Sequence, residues 1–203
     1  MSVGNTAGDL GMEIPSSKVS HAQKLMITKC NLHNKFAVCA TQMLESMIKN
    51  PRPTRAELTD VANAVIDGAD AVMLSGETAN GAFPSTAVST MAEIARNAEH
   101  IVDARRRFDW LRSQTPAPLE SAEAVASSAV AMALDMGARA VLCFTTSGRS
   151  ASVISKYAPP VPVFVASEER PALVACRAHF GLHGVHMQFE GKPVRRYCGC
   201  VRS

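Results

Sequence analysis

The stretch DVANAVIDGADAVMLSGETANG, residues 60–81, decides the fold that the sequence predicts. A capping box of Thr54 with Glu57 three residues later begins a helix that ends near Gly68. A strand-length apolar run, DAVMLSGE, follows at once. Helical and strand-length patterns alternate in the same way along most of the chain, which is typical of parallel βα units. The fold class predicted from this pattern is therefore α/β.

The other predicted elements follow from the same periodicity. We predict helices at residues 16–31, 84–113, 122–136, 149–157 and 168–179, with a short helical piece at 43–48. Strands are predicted at 35–42, 70–77, 139–145 and 161–166. The connection SQTPAPLES, residues 113–121, is the predicted domain boundary, and from residue 181 onward the pattern fades.

Composition excludes several classes of function. The chain has 203 residues, 47% of them hydrophobic, with a net charge of +3, one Trp and two Tyr. No basic aromatic surface for nucleic acid is indicated, no apolar run reaches the roughly 20 residues of a membrane span, and no signal-peptide pattern occurs. We expect a cytoplasmic protein with small-molecule or protein partners. Its cysteines in apolar segments predict reduced, buried thiols: Cys30, Cys39, Cys143 and Cys176.

Three places combine polar side chains with the end of a predicted strand or a glycine-rich turn. They are Asp9, Thr41, and Ser75 with Glu77. In parallel α/β architectures ligands bind at the carboxyl ends of the strands. Glycines beside Asp9 allow an anion to approach the backbone, and the carboxylate suits a hard cation such as Mg²⁺. The alternatives are structural: a helix cap for Asp9, a polar strand end for Thr41 and a turn for Ser75.

The runs GDLGMEIP, AVCATQMLESMIKNPRPTRAE and DVANAVIDGADAVMLSGETANG, in this order, resemble pyruvate kinase. The resemblance is close over residues 8 to about 100 and continues more loosely, through TTSGRSASVISKYAPPVPVFVA, to about residue 187. It implies a partial (α/β)8 TIM-type barrel in residues 1–113, an incomplete carboxyl-terminal α/β domain in 114–188 and a divergent tail in 189–203. The implied reaction is phosphoryl transfer between phosphoenolpyruvate and ADP, giving pyruvate and ATP, with Mg²⁺ and K⁺.

The resemblance also assigns roles to individual residues. Asp9 is similar to a magnesium ligand, and the backbone of Gly8 and Asp9 to a cradle for the substrate carboxylate. Thr41 matches a substrate-contacting catalytic residue that handles the enolpyruvate proton, and Ser75 a polar residue with a supporting catalytic role. Ala7 stands where the family has an arginine.

Other parts of the family's site have no counterpart by motif in the 203 residues. These are the lysine that neutralises the transferring phosphoryl group, the glutamate that is the second metal ligand, the potassium ligands and the lid domain. Removing one positioned electrostatic group typically costs about a hundredfold in rate. We therefore expect this chain by itself to be inactive. The two barrel strands leave apolar faces uncovered, so we expect the isolated chain to associate or aggregate. The resemblance also places the helices after Thr41 and Thr54 where the family packs its subunits, which implies a homo-oligomer or association with full-length subunits.

The second predicted domain offers a noncatalytic alternative. The loop TTSGRS follows a strand and opens a helix, and it resembles the loop that grips an effector phosphate in regulated pyruvate kinases. The candidate phosphate ligands are Thr145, Thr146, Ser147, Gly148, Arg149 and Ser150. An ordinary capped strand-to-helix turn explains the same residues.

Two motifs in the last part of the chain have simpler explanations. Cys176, His179, His183 and His186 are spaced as zinc ligands can be, but the span crosses a predicted helix end and two glycines. The terminal CVRS has the length of a prenylation box with Arg202 where an aliphatic residue belongs. We expect structural roles for the first and a divergent tail for the second.

Overall fold

The structure is a computed structural model that describes residues 13–188, together with the backbone of residues 3–6 and 198–201. The chain divides into two compact units, Met1–Val102 and Asp103–Ser203. The predicted boundary between residues 113 and 114 lies near the end of a helix of the second unit, and the division of the chain at 113 and 188 stays a prediction.

The first unit is a short parallel sheet with helices after its strands. Its elements in chain order are β1 Val3–Thr6, α1 Ser16–Leu32, β2 Ala37–Ala40, a 3₁₀ helix Glu45–Ile48, α2 Arg55–Asp67, β3 Ala71–Met73, α3 Gly76–Ala79 and α4 Pro84–Glu99. The strand order is β1-β2-β3, and both pairings are parallel. This arrangement agrees with the predicted α/β class.

Sequence signals explain where α2 begins and ends. Thr54 accepts a hydrogen bond from the Glu57 amide, and the Glu57 side chain accepts one from the Thr54 amide, so the predicted capping box is present. Gly68 ends the helix at φ 97°, a conformation that glycine adopts without steric cost. The core of this unit lies between the sheet, the 3₁₀ helix, α2 and α4 and contains Cys39, Met43, Leu44, Met47, Val61, Ala64, Ala87 and Met91.

The second unit is a four-stranded mixed sheet with four helices among its described residues. Its elements are α5 Ala104–Gln114, α6 Ser121–Met136, β4 Ala140–Phe144, α7 Arg149–Lys156, β5 Val163–Ser167, α8 Arg170–Cys176, β6 Leu182–His186 and β7 Cys198–Val201. The strand order is β6-β5-β4-β7, with β7 antiparallel to β4 and the other pairings parallel.

Several predicted elements were wrong in extent. The helix predicted over 84–113 is two helices, because Asp103 starts a new one by accepting a hydrogen bond from the Arg106 amide at 3.0 Å. The helical piece at 43–48 is a 3₁₀ helix. The strand predicted at 70–77 stops at Met73. Beyond residue 181, where no pattern was found, the structure has β6 and β7.

The thiol prediction is confirmed where the structure describes side chains. Cys30, Cys39, Cys143 and Cys176 are buried thiols that take part in no disulfide. Burial, together with the nearby Asp67 and Asp60 carboxylates, raises the pKa of the Cys39 thiol to about 11. This thiol therefore stays protonated at neutral pH. No helix in the described ranges has the length and apolar character needed to cross a bilayer.

Candidate functional site

The carboxyl ends of the three strands of the first unit lie at one edge of the sheet. Thr6, the last residue of β1, is in register with Ala40, the last of β2, and Ala40 is in register with Met73, the last of β3. The loops that begin at Thr41 and Leu74 therefore leave the sheet side by side. Two of the three polar positions predicted from the sequence, Thr41 and Ser75, follow at this edge.

The backbone turns sharply where β2 ends. Thr41 has φ 68° and Gln42 has φ 55°, so two successive residues with side chains adopt the left-handed region. For a β-branched residue such as Thr this conformation is unusual and costs of the order of 1–3 kcal/mol. The Thr41 hydroxyl donates a hydrogen bond to the Ala40 carbonyl at 2.6 Å, which fixes Oγ1 beside the strand end. Strain of this kind concentrates at functional sites.

A buried glutamate joins the two loops at this edge. Glu77 is fully buried, and its Oε1 accepts a hydrogen bond from the Leu44 amide at 2.9 Å. Its Oε2 accepts one from the Ser75 amide at 2.8 Å. Burying a carboxylate without hydrogen bonds is very costly, and these two amides compensate it. The strand that precedes Glu77 ends at Met73, and α3 begins at Gly76.

The Glu57 carboxylate binds Ser46, which lies in the 3₁₀ helix that follows the loop after β2. The carboxylate accepts hydrogen bonds from the Ser46 amide at 2.7 Å and the Ser46 hydroxyl at 2.6 Å. It also accepts bonds from the Thr54 amide at 2.7 Å and hydroxyl at 2.8 Å. Burial tends to raise the pKa of Glu57, but the hydrogen bonds from Ser46 and Thr54 outweigh that effect and lower it.

The lowered pKa predicts how Glu57→Gln changes the pH dependence of stability. A carboxyl whose pKa is lower in the folded state stabilises the protein above its unfolded pKa, and this stabilisation is lost as pH falls through the folded value. The free energy of unfolding of the wild type should therefore exceed that of Glu57→Gln, and the difference should be largest at pH 7 and shrink below about pH 4.5. Native-state hydrogen exchange of the β2 amides at several pH values measures it. A difference independent of pH would contradict this role.

Two of the predicted site residues, Gly8 and Asp9, lie outside the described residues. In the sequence, Asp9 is the third residue after β1.

Ser75 is the residue before α3. Its hydroxyl makes no cap hydrogen bond, and its backbone amide donates the hydrogen bond to Glu77. Sequence reasoning placed Glu77 at a strand end but gave it no role. An acidic residue in the first turn of a helix is usually exposed, so nothing in the pattern indicated that this one is buried.

The loop 145–150 of the second unit is closed by its own hydrogen bonds. The Thr145 hydroxyl accepts a bond from the Gly148 amide at 3.0 Å, and the Ser147 hydroxyl accepts one from the Arg149 amide at 3.4 Å. The Arg149 guanidinium pairs with Glu120 at 2.7 Å, with both side chains exposed. Gly148 has φ 81°, which favours glycine, and a β-carbon there would lie 3.2 Å from Cys176 Sγ, a tight contact. Effector phosphate binding by residues 145–150 stays a prediction.

Comparison with known proteins decides the family. Residues 2–88 match the family described as pyruvate kinase, barrel domain, and residues 123–196 match pyruvate kinase, alpha/beta domain. This chain belongs to the pyruvate kinase family. The fold class predicted from the sequence, a partial (α/β)8 TIM-type barrel followed by a smaller α/β domain, is confirmed with it.

Individual pyruvate kinases are similar over most of the chain. Pyruvate kinase 2 of Candida glabrata is 54% identical over 156 residues, which are 77% of this chain and 31% of that protein. Pyruvate kinase 1 of Saccharomyces cerevisiae is 51% identical over 196 residues, 97% of this chain and 39% of that protein. A crystal structure of a pyruvate kinase from Cryptosporidium parvum superposes with a TM-score of 0.90 at 46% identity, covering 92% of this chain and 38% of that one. The chain thus spans about a third of its curated relatives' length.

Proposed function

We propose that this chain supplies part of a pyruvate kinase active site, which transfers a phosphoryl group between phosphoenolpyruvate and ADP to give pyruvate and ATP. The observation that carries the proposal is the shared edge where β2 and β3 end. There the loop that begins at the strained Thr41 is joined to the turn at Ser75 by the buried Glu77 carboxylate, which accepts hydrogen bonds from the Leu44 and Ser75 amides. The sequence motifs AVCATQ and VMLSGET, which place them there, are those that resemble the family.

Within this proposal Thr41 is the catalytic residue and Ser75 supports it. The hydrogen bond from the Thr41 hydroxyl to Ala40 fixes Oγ1 at the strand end, where it handles the proton of the enolpyruvate carbon. The backbone of Gly8 and Asp9 would bind the substrate carboxylate. The cytosolic isozyme of Nicotiana tabacum, 55% identical to this chain over 156 residues, favours the cytoplasm as its location.

Asp9 is the proposed ligand of Mg²⁺. A carboxylate oxygen is the kind of ligand that this hard cation prefers, and Mg²⁺ commonly combines one or two carboxylates with substrate phosphates. When bound, the cation neutralises charge on the transferring phosphoryl group. No cluster of three His, Cys, Asp or Glu side chains that could hold a metal occurs among the residues whose side chains the structure describes. A requirement for K⁺ is proposed from the family resemblance, and its ligands have no counterpart by motif in the 203 residues.

A segment exchange tests the proposed function. Residues 2–88 would replace the corresponding segment of the Saccharomyces cerevisiae pyruvate kinase 1, and pyruvate formation from phosphoenolpyruvate and ADP would be followed with Mg²⁺ and K⁺. We expect the exchanged enzyme, which carries residues 2–88 of this chain, to form pyruvate. Thr41→Ala within it should lower kcat about 100-fold, a typical effect of losing one proton-transfer group. A folded but inactive exchanged enzyme, or a Thr41→Ala variant with full activity, would refute the proposal.

A further inference from the structure

We propose that Glu77 is a positioning residue: its buried carboxylate holds the loops after β2 and β3 together and thereby keeps Thr41 in its strained conformation. The inference rests on the proposed function for its catalytic consequence. It assigns a role to a residue that the sequence pattern placed at the site without giving it one.

The Glu77 carboxylate lies in the protein interior. Glu77 has 0% of its surface exposed, and each oxygen accepts one backbone N–H. A residue kept only for its shape could be apolar at such a position, since an apolar side chain is cheaper to bury. The two hydrogen bonds go to different loops, 33 and 2 residues away in sequence. The side chain therefore acts as a cross-link.

The hydrogen bond from the Leu44 amide to Glu77 anchors the end of the loop that begins at Thr41. The Leu44 amide lies three residues after Thr41, and the Leu44 side chain is itself fully buried. Anchoring Leu44 from both its amide and its side chain fixes the end of the loop. The chain between Ala40, which belongs to the sheet, and Leu44 must then make its turn within three residues. The left-handed conformations of Thr41 and Gln42 accomplish this turn.

The residues that follow Glu77 in the chain pack closely against its backbone. A β-carbon at Gly81 would lie 2.4 Å from the Glu77 carbonyl oxygen, so the chain passes directly over the backbone of this residue. The Ala82 amide donates to the Ile48 carbonyl at 2.8 Å and ties the same segment to the end of the 3₁₀ helix. The segment that follows Glu77 is thus held against the end of the 3₁₀ helix. From this anchored segment the Glu77 side chain reaches the Leu44 amide.

The test compares Glu77→Gln with Glu93→Gln in the 203-residue chain by amide hydrogen exchange, read by mass spectrometry with overlapping peptides. Glutamine keeps the shape of Glu77, but its NH₂ group cannot accept a hydrogen bond, so one of the two amides loses its acceptor. We expect exchange in the peptides containing Leu44 and Ser75 to rise about tenfold or more, with α2 unchanged. Glu93 is exposed on α4, and its variant should exchange like the wild type.

Three exchange results would overturn the inference. The first is no protection of the Leu44 and Ser75 amides in the wild type, and the second is no change of their exchange in Glu77→Gln. The third is faster exchange throughout the first unit, since a residue that only stabilises the fold has that effect. In the exchanged yeast enzyme, Glu77→Gln should lower kcat about 10- to 100-fold with KM for phosphoenolpyruvate about unchanged, because a misplaced catalytic group affects the reaction step. If the unmodified exchanged enzyme is inactive, the proposed function fails, and hydrogen exchange still decides the role of Glu77.

Discussion

Replacing Glu123 by alanine is expected to lower the free energy of unfolding of the second unit by about 3–5 kcal/mol, because it leaves a buried ammonium group without its counter-charge. Lys156 Nζ lies 2.7 Å from Glu123 Oε1, and only 4% of the Lys156 side chain is exposed. The Tyr157 hydroxyl donates to the same oxygen at 2.6 Å. Lys156 Nζ also donates a hydrogen bond to the Thr115 hydroxyl at 3.3 Å. Removing Glu123 therefore takes the carboxylate acceptor away from two buried groups, the Lys156 ammonium and the Tyr157 hydroxyl.

The environment of Tyr157 shows how far this cluster is withdrawn from water. Its side chain is fully buried, and its ring centroid lies 5.5 Å from that of Phe108. Burial raises the pKa of Tyr157 to about 12, and the hydrogen bond to Glu123 contributes to the rise. Screening by solvent, which makes exposed ion pairs weak, is therefore small here.

Urea unfolding followed by tryptophan fluorescence measures the effect. Trp110 is the only tryptophan in the sequence and lies in α5, so it reports on this unit. Glu120→Ala is the matched control: Glu120 pairs with Arg149 at 2.7 Å, both side chains are mostly exposed, and the loss should stay below about 1 kcal/mol. The double variant Glu123→Met, Lys156→Met should recover most of the loss. Equal losses from Glu123→Ala and Glu120→Ala would show that burial does not govern this pair.

Leu44→Ala should lower the free energy of unfolding of the first unit by about 2–5 kcal/mol. The Leu44 side chain has 0% exposure and lies in the core with Met47 and Val61, so its truncation removes buried apolar surface and leaves a cavity. The backbone amide that binds Glu77 is retained in this variant. The change therefore tests the packing beneath the site separately from the hydrogen bond.

Native-state hydrogen exchange of the β2 amides gives the free energy for Leu44→Ala, since exchange from a central strand reports global opening. Leu58→Ala on α2 is the control, because 37% of Leu58 is exposed and its truncation creates a smaller cavity. We expect the Leu58 variant to lose less than about half as much. A loss at Leu44 no larger than that at Leu58 would contradict the assignment of Leu44 to the core.

The sequence predicted those parts of the fold that depend on local chemistry. The capping box at Thr54 and Glu57 and the left-handed glycine at Gly68 set the ends of α2 where the pattern placed them. The strand before Thr41 was recognised because a short apolar run of β length carries its own signal. These features involve residues close in sequence, so periodicity and capping preferences suffice.

Features that depend on contacts between distant residues were missed. Nothing local indicates that Glu77 turns inward, because its partner at Leu44 is 33 residues away. The strand β6, LHGVH, pairs along β5, and its histidines and glycine hide the alternation expected of a strand. The strain at Thr41 was invisible for the same reason, since φ at that position is set by where Leu44 is anchored.

Complementation in trans shows directly whether this chain supplies part of a pyruvate kinase active site. The 203-residue chain would be co-expressed with the part of Saccharomyces cerevisiae pyruvate kinase 1 that precedes its matched segment, and the purified products assayed for pyruvate formation with phosphoenolpyruvate, ADP, Mg²⁺ and K⁺. We expect co-purification and turnover by the pair, loss of that turnover in Thr41→Ala and Asp9→Ala, and no turnover by the chain alone. Turnover by the chain alone, or a co-purified pair no more active than its Thr41→Ala form, would show that this chain does not act as the proposed part of the active site.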